Sequence, residues 1–185
     1  MIKRFGTVDV LVNNAGGGSG VGECDFLKRD PFLIKQLIND NLVGPLFCSQ
    51  SFGRYMVLQK HGTIINIGSI SAVIGRSRDM YHKTKKMEQP VEYAAAKGGI
   101  VGFTRDLAAY MAPYNVRVNC ISPGGFDKGE LPIEFIEEYS ERTPLGHMGV
   151  IGKEIKGASL FLASEASSYV TGQNLIVDGG FTSCK

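Results

Sequence analysis

Four apolar runs, each closed by polar residues or glycine, limit most strongly what this chain can fold into. They are Val8 to Asn14 (VDVLVNN), Gly62 to Ser69 (GTIINIGS), Val116 to Ser122 (VRVNCIS) and Asn174 to Gly180 (NLIVDGG). A strand with one wet face alternates apolar and polar residues. A short, nearly continuous apolar run instead reads as a strand covered on both faces, the habit of parallel sheets. Helical patterns separate the runs. Asp30-Pro31 is an N-cap followed by proline at the first helical position, and predicts a helix from Phe32 to about Leu58. Further helices are predicted from about Glu92 to Ala112, where Pro113 stops the pattern, from Pro132 to Glu141 and from Lys153 to Ala163. Strands alternating with helices predict an α/β fold, a doubly wound parallel sheet with helices on both faces. In such sheets ligands bind outside the carboxyl ends of the strands.

Composition narrows the function classes. The 185 residues suffice for one domain with a real core, and 43% hydrophobic with 21% charged residues excludes a disordered or low-complexity chain. Twenty Lys and Arg against 18 Asp and Glu leave a net charge of only +2, so neither a nucleic-acid partner nor an anionic membrane is expected. No apolar run is long enough to span a bilayer, and MIKRFGTVDV has neither an apolar signal core nor a small-residue cleavage site. Cys24, Cys48, Cys120 and Cys184 form no C-x-x-C pair and fit no zinc spacing. Cys48 and Cys120 sit in apolar runs and read as buried thiols, which points to the reducing cytoplasm. His61, His82 and His147 are scattered and no metal site is expected.

The chemistry concentrates at Tyr93-x-x-x-Lys97, near the start of a predicted helix. Residues four apart share a helix face, so the phenol and the ammonium can enter one site. A tyrosine is a poor acid or base at neutral pH, and a nearby ammonium favours its phenolate. The same spacing also suits an unremarkable surface helix. Ser69 ends the preceding apolar run, where its hydroxyl can meet a substrate oxygen or simply terminate a strand. Asn41 lies mid-helix, a poor position by propensity, either turned inward to hold a water or the Lys97 surroundings or exposed at modest cost. Asn13-Asn14-Ala15-Gly16 follows the first strand and leads into a loop rich in glycine, Gly16 to Gly22, where a flat ligand can approach the backbone. No G-x-G-x-x-G register fits that loop, so it is not a dinucleotide fingerprint.

Taken in order, Asn13-Asn14-Ala15-Gly16, Asn41 in NLVG, Ser69 in INIGS, Tyr93-x-x-x-Lys97 and Ser122-Pro123-Gly124 resemble the motifs of the short-chain dehydrogenase/reductase family. FLASEASSYVTGQNLIVDGG, Phe161 to Gly180, is similar to that family's closing helix and strand. The resemblance implies a Rossmann-like fold, NAD or NADP as cofactor, and a secondary alcohol or its ketone as substrate. It implies that Tyr93 exchanges the substrate proton, Ser69 polarises the reacting oxygen, Lys97 lowers the Tyr93 pKa and binds the nicotinamide ribose, and Asn41 holds a water linking Lys97 to solvent. Pro123 and Gly124 would line the nicotinamide face, and Asn13, Ala15 and Gly16 the adenosine ribose side. The two long helices resemble the family's dimer-forming pair, so a homodimer or homotetramer is implied.

The chain also departs from that pattern. It opens on what resembles the end of the helix before the family's fourth strand, so the expectation is a single domain, residues 1–185, that lacks the glycine-rich half of the fold. The Val8 strand would then be left as a flat apolar edge, and a non-catalytic, partner-binding fragment is the rival expectation. Ser69 and Tyr93 stand 24 positions apart, about twice the separation usual in that family. The extra residues fall in a loop from Gly75 to Pro90. It carries Arg76, Arg78, Lys83, Lys85 and Lys86 against Asp79 and Glu88, an excess of three positive charges. It is either a lid that attracts an anionic, carbohydrate-derived substrate or a solvated loop. No Thr follows Pro123-Gly124 until Thr143, and Leu131 to Glu141 matches the family's substrate-loop helix.

Overall fold

The computed structural model describes residues 2–18, 22–85 and 88–183. The elements are α1 (Ile2–Phe5), β1 (Val10–Asn13), α2 (Pro31–Ile38), α3 (Gly44–Gln59), β2 (Gly62–Ile67), α4 (Arg78–Lys83), α5 (Val91–Met111), β3 (Val116–Pro123), β4 (Phe126–Asp127), α6 (Ile133–Glu141), β5 (Gly149–Val150), α7 (Glu154–Ala163) and β6 (Asn174–Val177). The four apolar runs form one sheet in the order β1-β2-β3-β6, with every pair parallel.

Side-chain alternation on the central strands supplies both faces. Ile64, with Val116 and Val118 of β3, packs under Met56 of α3 and Ala108 and Met111 of α5. Its neighbour Ile65 points to the other face with Ile121, against Leu162 of α7. The expected two-sided burial holds for β2 and fails for β1, where Val10 and Val12 are 41% and 50% exposed. Among the described residues β1 pairs only with β2, so one of its sides meets no strand.

The helix expected from Phe32 to Leu58 is continuous but not uniform. Asp30 caps it, accepting the Phe32 N–H at 2.8 Å, and Pro31 opens it. A π-helical turn, Asn39–Val43, then joins α2 to α3, with the Gly44 N–H reaching back to the Asn39 carbonyl. Widened turns of this kind recur at functional sites.

The segment Gly75 to Pro90 is not a plain loop. It contains α4, whose Met80 is buried against Phe135, Tyr139, Met148 and Phe181. The small β4–β5 pair was not foreseen, because two-residue strands carry no periodicity. Cys120 is buried as expected, but Cys48 is exposed, because it falls on the outer side of α3. Cys184, Lys86 and Gly20 lie outside the described residues. Among the described residues no helix is long and apolar enough to cross a membrane.

Tyr139 fastens α6 to the end of β3. Its hydroxyl accepts the Gly125 N–H at 2.5 Å, and its ring stacks on Phe181 with centroids 4.5 Å apart. Burial pushes its pKa up to about 12; the Gly125 N–H opposes the rise, and Tyr81 and Asp178 add to it. The folded state therefore favours the neutral phenol. Between the ordinary value of 10.0 and about 12, rising pH ionises the unfolded chain first. This stabilisation, about 2–3 kcal/mol, is whole below pH 10 and lost as pH rises through 12. Urea midpoints measured from pH 9 to 12 should fall less steeply for Tyr139→Phe than for the parent chain. Parallel slopes would refute this account.

Candidate active site

A cleft of about 500 Å³ opens where β1, β2 and β3 end, lined by Asn14 and Gly16–Gly18 after β1, Ile67–Ser71 after β2 and Pro123–Phe126 at β3. Tyr93 and Lys97 of α5 line it from one side. Arg76, Met80 and Tyr81 of the Gly75–Pro90 segment also line it, Met80 and Tyr81 packed with Phe135, Tyr139 and Phe181, which line it too. Three parallel strands that finish together bring residues distant in sequence to one place.

Ser69 is held by its own turn. Its side chain caps the 3-10 turn Ile70–Ala72, accepting the Ser71 N–H at 3.2 Å, and its Oγ lies 2.9 Å from Ser71 Oγ. Tyr93 and Lys97 are both buried on one face of α5. Lys97 Nζ donates to the Ile67 carbonyl at 2.8 Å and lies 5.6 Å from the Tyr93 ring centre.

The protonation balance differs from the expectation. Burial pushes the Tyr93 pKa up, while the Ser69 hydroxyl and the Arg76 guanidinium pull it down and Tyr81 adds to the rise; the net direction is upward. Arg76 thus joins Lys97, 5.6 Å from the ring centre, as a cation beside the phenol. Burial in turn holds the Lys97 ammonium below its ordinary value. Tyr93 is therefore a neutral phenol at pH 7, ready to donate.

Asn41 is fully buried in the π-helical turn, but its amide serves the loop after β1. Nδ2 donates to the Gly17 carbonyl at 2.7 Å and the Leu37 carbonyl at 3.0 Å, and Oδ1 accepts the Gly17 N–H at 3.0 Å. The Asn41 side chain thus clamps Gly17 through both its amide atoms. Gly16 needs its small size there, since a Cβ would lie 2.6 Å from Asn41 Oδ1, and its φ of +135° disfavours a side chain. At Gly18 a Cβ would sit 2.7 Å from the Tyr93 ring.

Asn13 and Ala15, expected on the adenosine ribose side, do not line this cleft. Asn13 is buried and turned inward, because its register partner in the sheet is Asn66. Its Nδ2 donates to Asn66 Oδ1 at 2.7 Å and Ser49 Oγ at 2.8 Å, and Asn66 continues to Thr104 Oγ1 at 3.0 Å. This network ties β1 and β2 to α3 and α5. Ala15 is exposed and does not line the cleft, whereas Asn14 and Gly16 do. Pro123 and Gly124 line it. Sequence reasoning passed over Ser71 and saw Arg76 only as one loop cation; a second serine two residues after Ser69 was the available signal.

A family model described as enoyl-(acyl carrier protein) reductase matches residues 1–182. The 3-oxoacyl-(acyl-carrier-protein) reductase of Thermotoga maritima is 34% identical over 97% of this chain and 68% of that protein. A gluconate 5-dehydrogenase from Burkholderia cenocepacia, solved with NADP and tartrate, superposes with a TM-score of 0.87 at 33% identity, covering all of this chain and 68% of the other. A short-chain dehydrogenase from Leptospira borgpetersenii with bound NAD+ gives 0.87 at 39% identity over 97% of this chain and 67% of its own. With the matched sheet and a Ser, Tyr and Lys lining one cleft, these likenesses lead to one assignment: the chain belongs to the short-chain dehydrogenase/reductase family, a family of oxidoreductase enzymes.

Proposed function

We propose that this chain is an NAD(P)-dependent oxidoreductase that interconverts a secondary alcohol and its ketone on a carbohydrate-derived, anionic substrate. The observation that carries the reading is the meeting of Ser69, Tyr93 and Lys97 in one cleft at the ends of the parallel strands. The cleft suits a nicotinamide ribose. Asn14, Gly16–Gly18 and Pro123–Gly125 bound it with few side chains, and Lys97 and Tyr93 offer polar hydrogens to ribose hydroxyls. When bound, the nicotinamide supplies or accepts the hydride.

The chain's own groups handle the proton. In reduction, the carbonyl carbon gains the hydride with its electron pair, and Tyr93 Oη gives its proton to the carbonyl oxygen. The resulting phenolate is reprotonated from solvent. Ser69 Oγ donates to the same oxygen and draws off the charge that develops there. In oxidation the alcohol loses its hydroxyl proton to a Tyr93 phenolate and its carbon-bound hydrogen as hydride. The raised Tyr93 pKa makes reduction the better-supplied direction near neutrality, with oxidation quickening as pH rises.

Phe47 and Tyr55 of α3 are exposed at 65% and 41% and suit a homodimer or homotetramer contact. The free thiols of Cys24, Cys48 and Cys120 suit the reducing cytoplasm. Fluorescence titration of NADH and NADPH against the chain tests the reading: saturable binding of one or both is expected, together with turnover of polyhydroxy acids. Absence of both binding and turnover would remove the enzymatic reading in favour of a partner-binding protein.

A further inference from the structure

Arg76 is placed unlike Arg78 and Lys83 of the Gly75–Pro90 segment. Arg78 and His82 both pair with Glu88, and Lys83 lies 3.8 Å from Glu138. Arg76 turns into the cleft instead. Its Nη1 donates to the Gln89 carbonyl at 2.5 Å, and Nη2 to Ser71 Oγ at 3.3 Å. Among the described residues no carboxylate lies within ion-pair reach of it. A guanidinium keeps its charge at any physiological pH, and a half-buried charge without a counter-ion is unfavourable unless an anion arrives.

Its tethers leave three of the five guanidinium N–H donors for a ligand. They also fix where that ligand sits: Ser71 Oγ, which Arg76 holds, is 2.9 Å from Ser69 Oγ. An anion on Arg76 therefore lies within a few bonds of the oxygen that Ser69 and Tyr93 address. We infer that Arg76 is the carboxylate subsite of this cleft, and that the substrate is a hydroxy or keto acid whose carboxylate lies close to the reacting carbon. A planar guanidinium matches a planar carboxylate, which favours an acid over a neutral polyol. Lys128 and Glu130 at the rim are both exposed and of opposite sign, so they do not reproduce this preference.

This inference rests on the proposed oxidoreductase reading, and binding measurements separate the two. Titration calorimetry with D-gluconate, D-galactonate and tartrate, each against its carboxylate-free polyol (D-glucitol, galactitol and threitol), is run with and without NAD+ or NADP+. At least one acid should bind 10-fold or more tightly than its polyol. Arg76→Gln should weaken that acid by about 10- to 100-fold, the range for a hydrogen-bonded charge, and leave the polyol unchanged. Arg76→Lys should keep part of the preference, and added salt should erode it. Failure of every acid to bind, equal binding of acids and polyols, or a preference that survives Arg76→Gln would overturn the subsite. Should Arg76→Gln not fold, the lysine variant and the salt dependence decide. Acid binding through Arg76 with no turnover would instead defeat the oxidoreductase reading and leave the subsite standing.

Discussion

Tyr93→Phe should lower turnover about 10²- to 10⁴-fold, the range for loss of one general acid–base group, with NADH or NADPH affinity little changed. The substitution removes one oxygen. The ring stays against Gly18, and Lys97 keeps its bond to the Ile67 carbonyl, so the walls of the cleft persist. What disappears is the proton that must reach the substrate oxygen as hydride reaches carbon. Steady-state assays at saturating cofactor, paired with the fluorescence titration, separate chemistry from binding. Retained turnover would move the acid to another group; lost cofactor affinity would mean that the phenol is mainly a binding element.

The second large effect is on stability. Arg29 Nε donates to Glu92 Oε1 at 2.7 Å, and the two side chains are only 1% and 5% exposed. A second Arg29 nitrogen, Nη1, holds the Glu23 carbonyl at 2.6 Å, so the pair fastens the segment before α2 to the first turn of α5, one residue from Tyr93. Arg29→Ala leaves a buried carboxylate without its partner, and should cost about 3–5 kcal/mol, read as a lower urea midpoint at unchanged slope. Glu92 Oε2 already has no hydrogen-bond partner, so the pair is not fully satisfied even when intact. Replacing both members together, Arg29→Met with Glu92→Leu, should therefore recover most of the loss. A double variant as unstable as the single one would show that the ion pair itself, rather than the stranded charge, carries the stability.

The architecture was legible because parallel strands covered on both faces need runs such as GTIINI and VRVNCIS, and because Asp30-Pro31 and Pro113 mark helix ends chemically. Tyr93 and Lys97 were legible for a similar local reason, since a four-residue spacing fixes a shared helix face. Asn41 shows the limit: its identity and inward turn could be anticipated, but its partner depends on a π-helical turn and on where the β1 loop crosses it. Asn13 shows the same limit in the sheet, where register with Asn66 committed its amide to the interior.

The linear order of residues determined the parallel α/β sheet and the group of hydroxyl, phenol and ammonium at its strand ends, because periodicity, capping and helix spacing act over a few neighbouring residues. Only the folded chain decided that Arg76 stands near Tyr93, that Asn41 clamps Gly17, and that Arg76 enters the cleft while Arg78 does not. Those outcomes depend on burial and on distances between segments far apart in the chain. A desolvated charge acts through space on whatever tertiary packing brings near it.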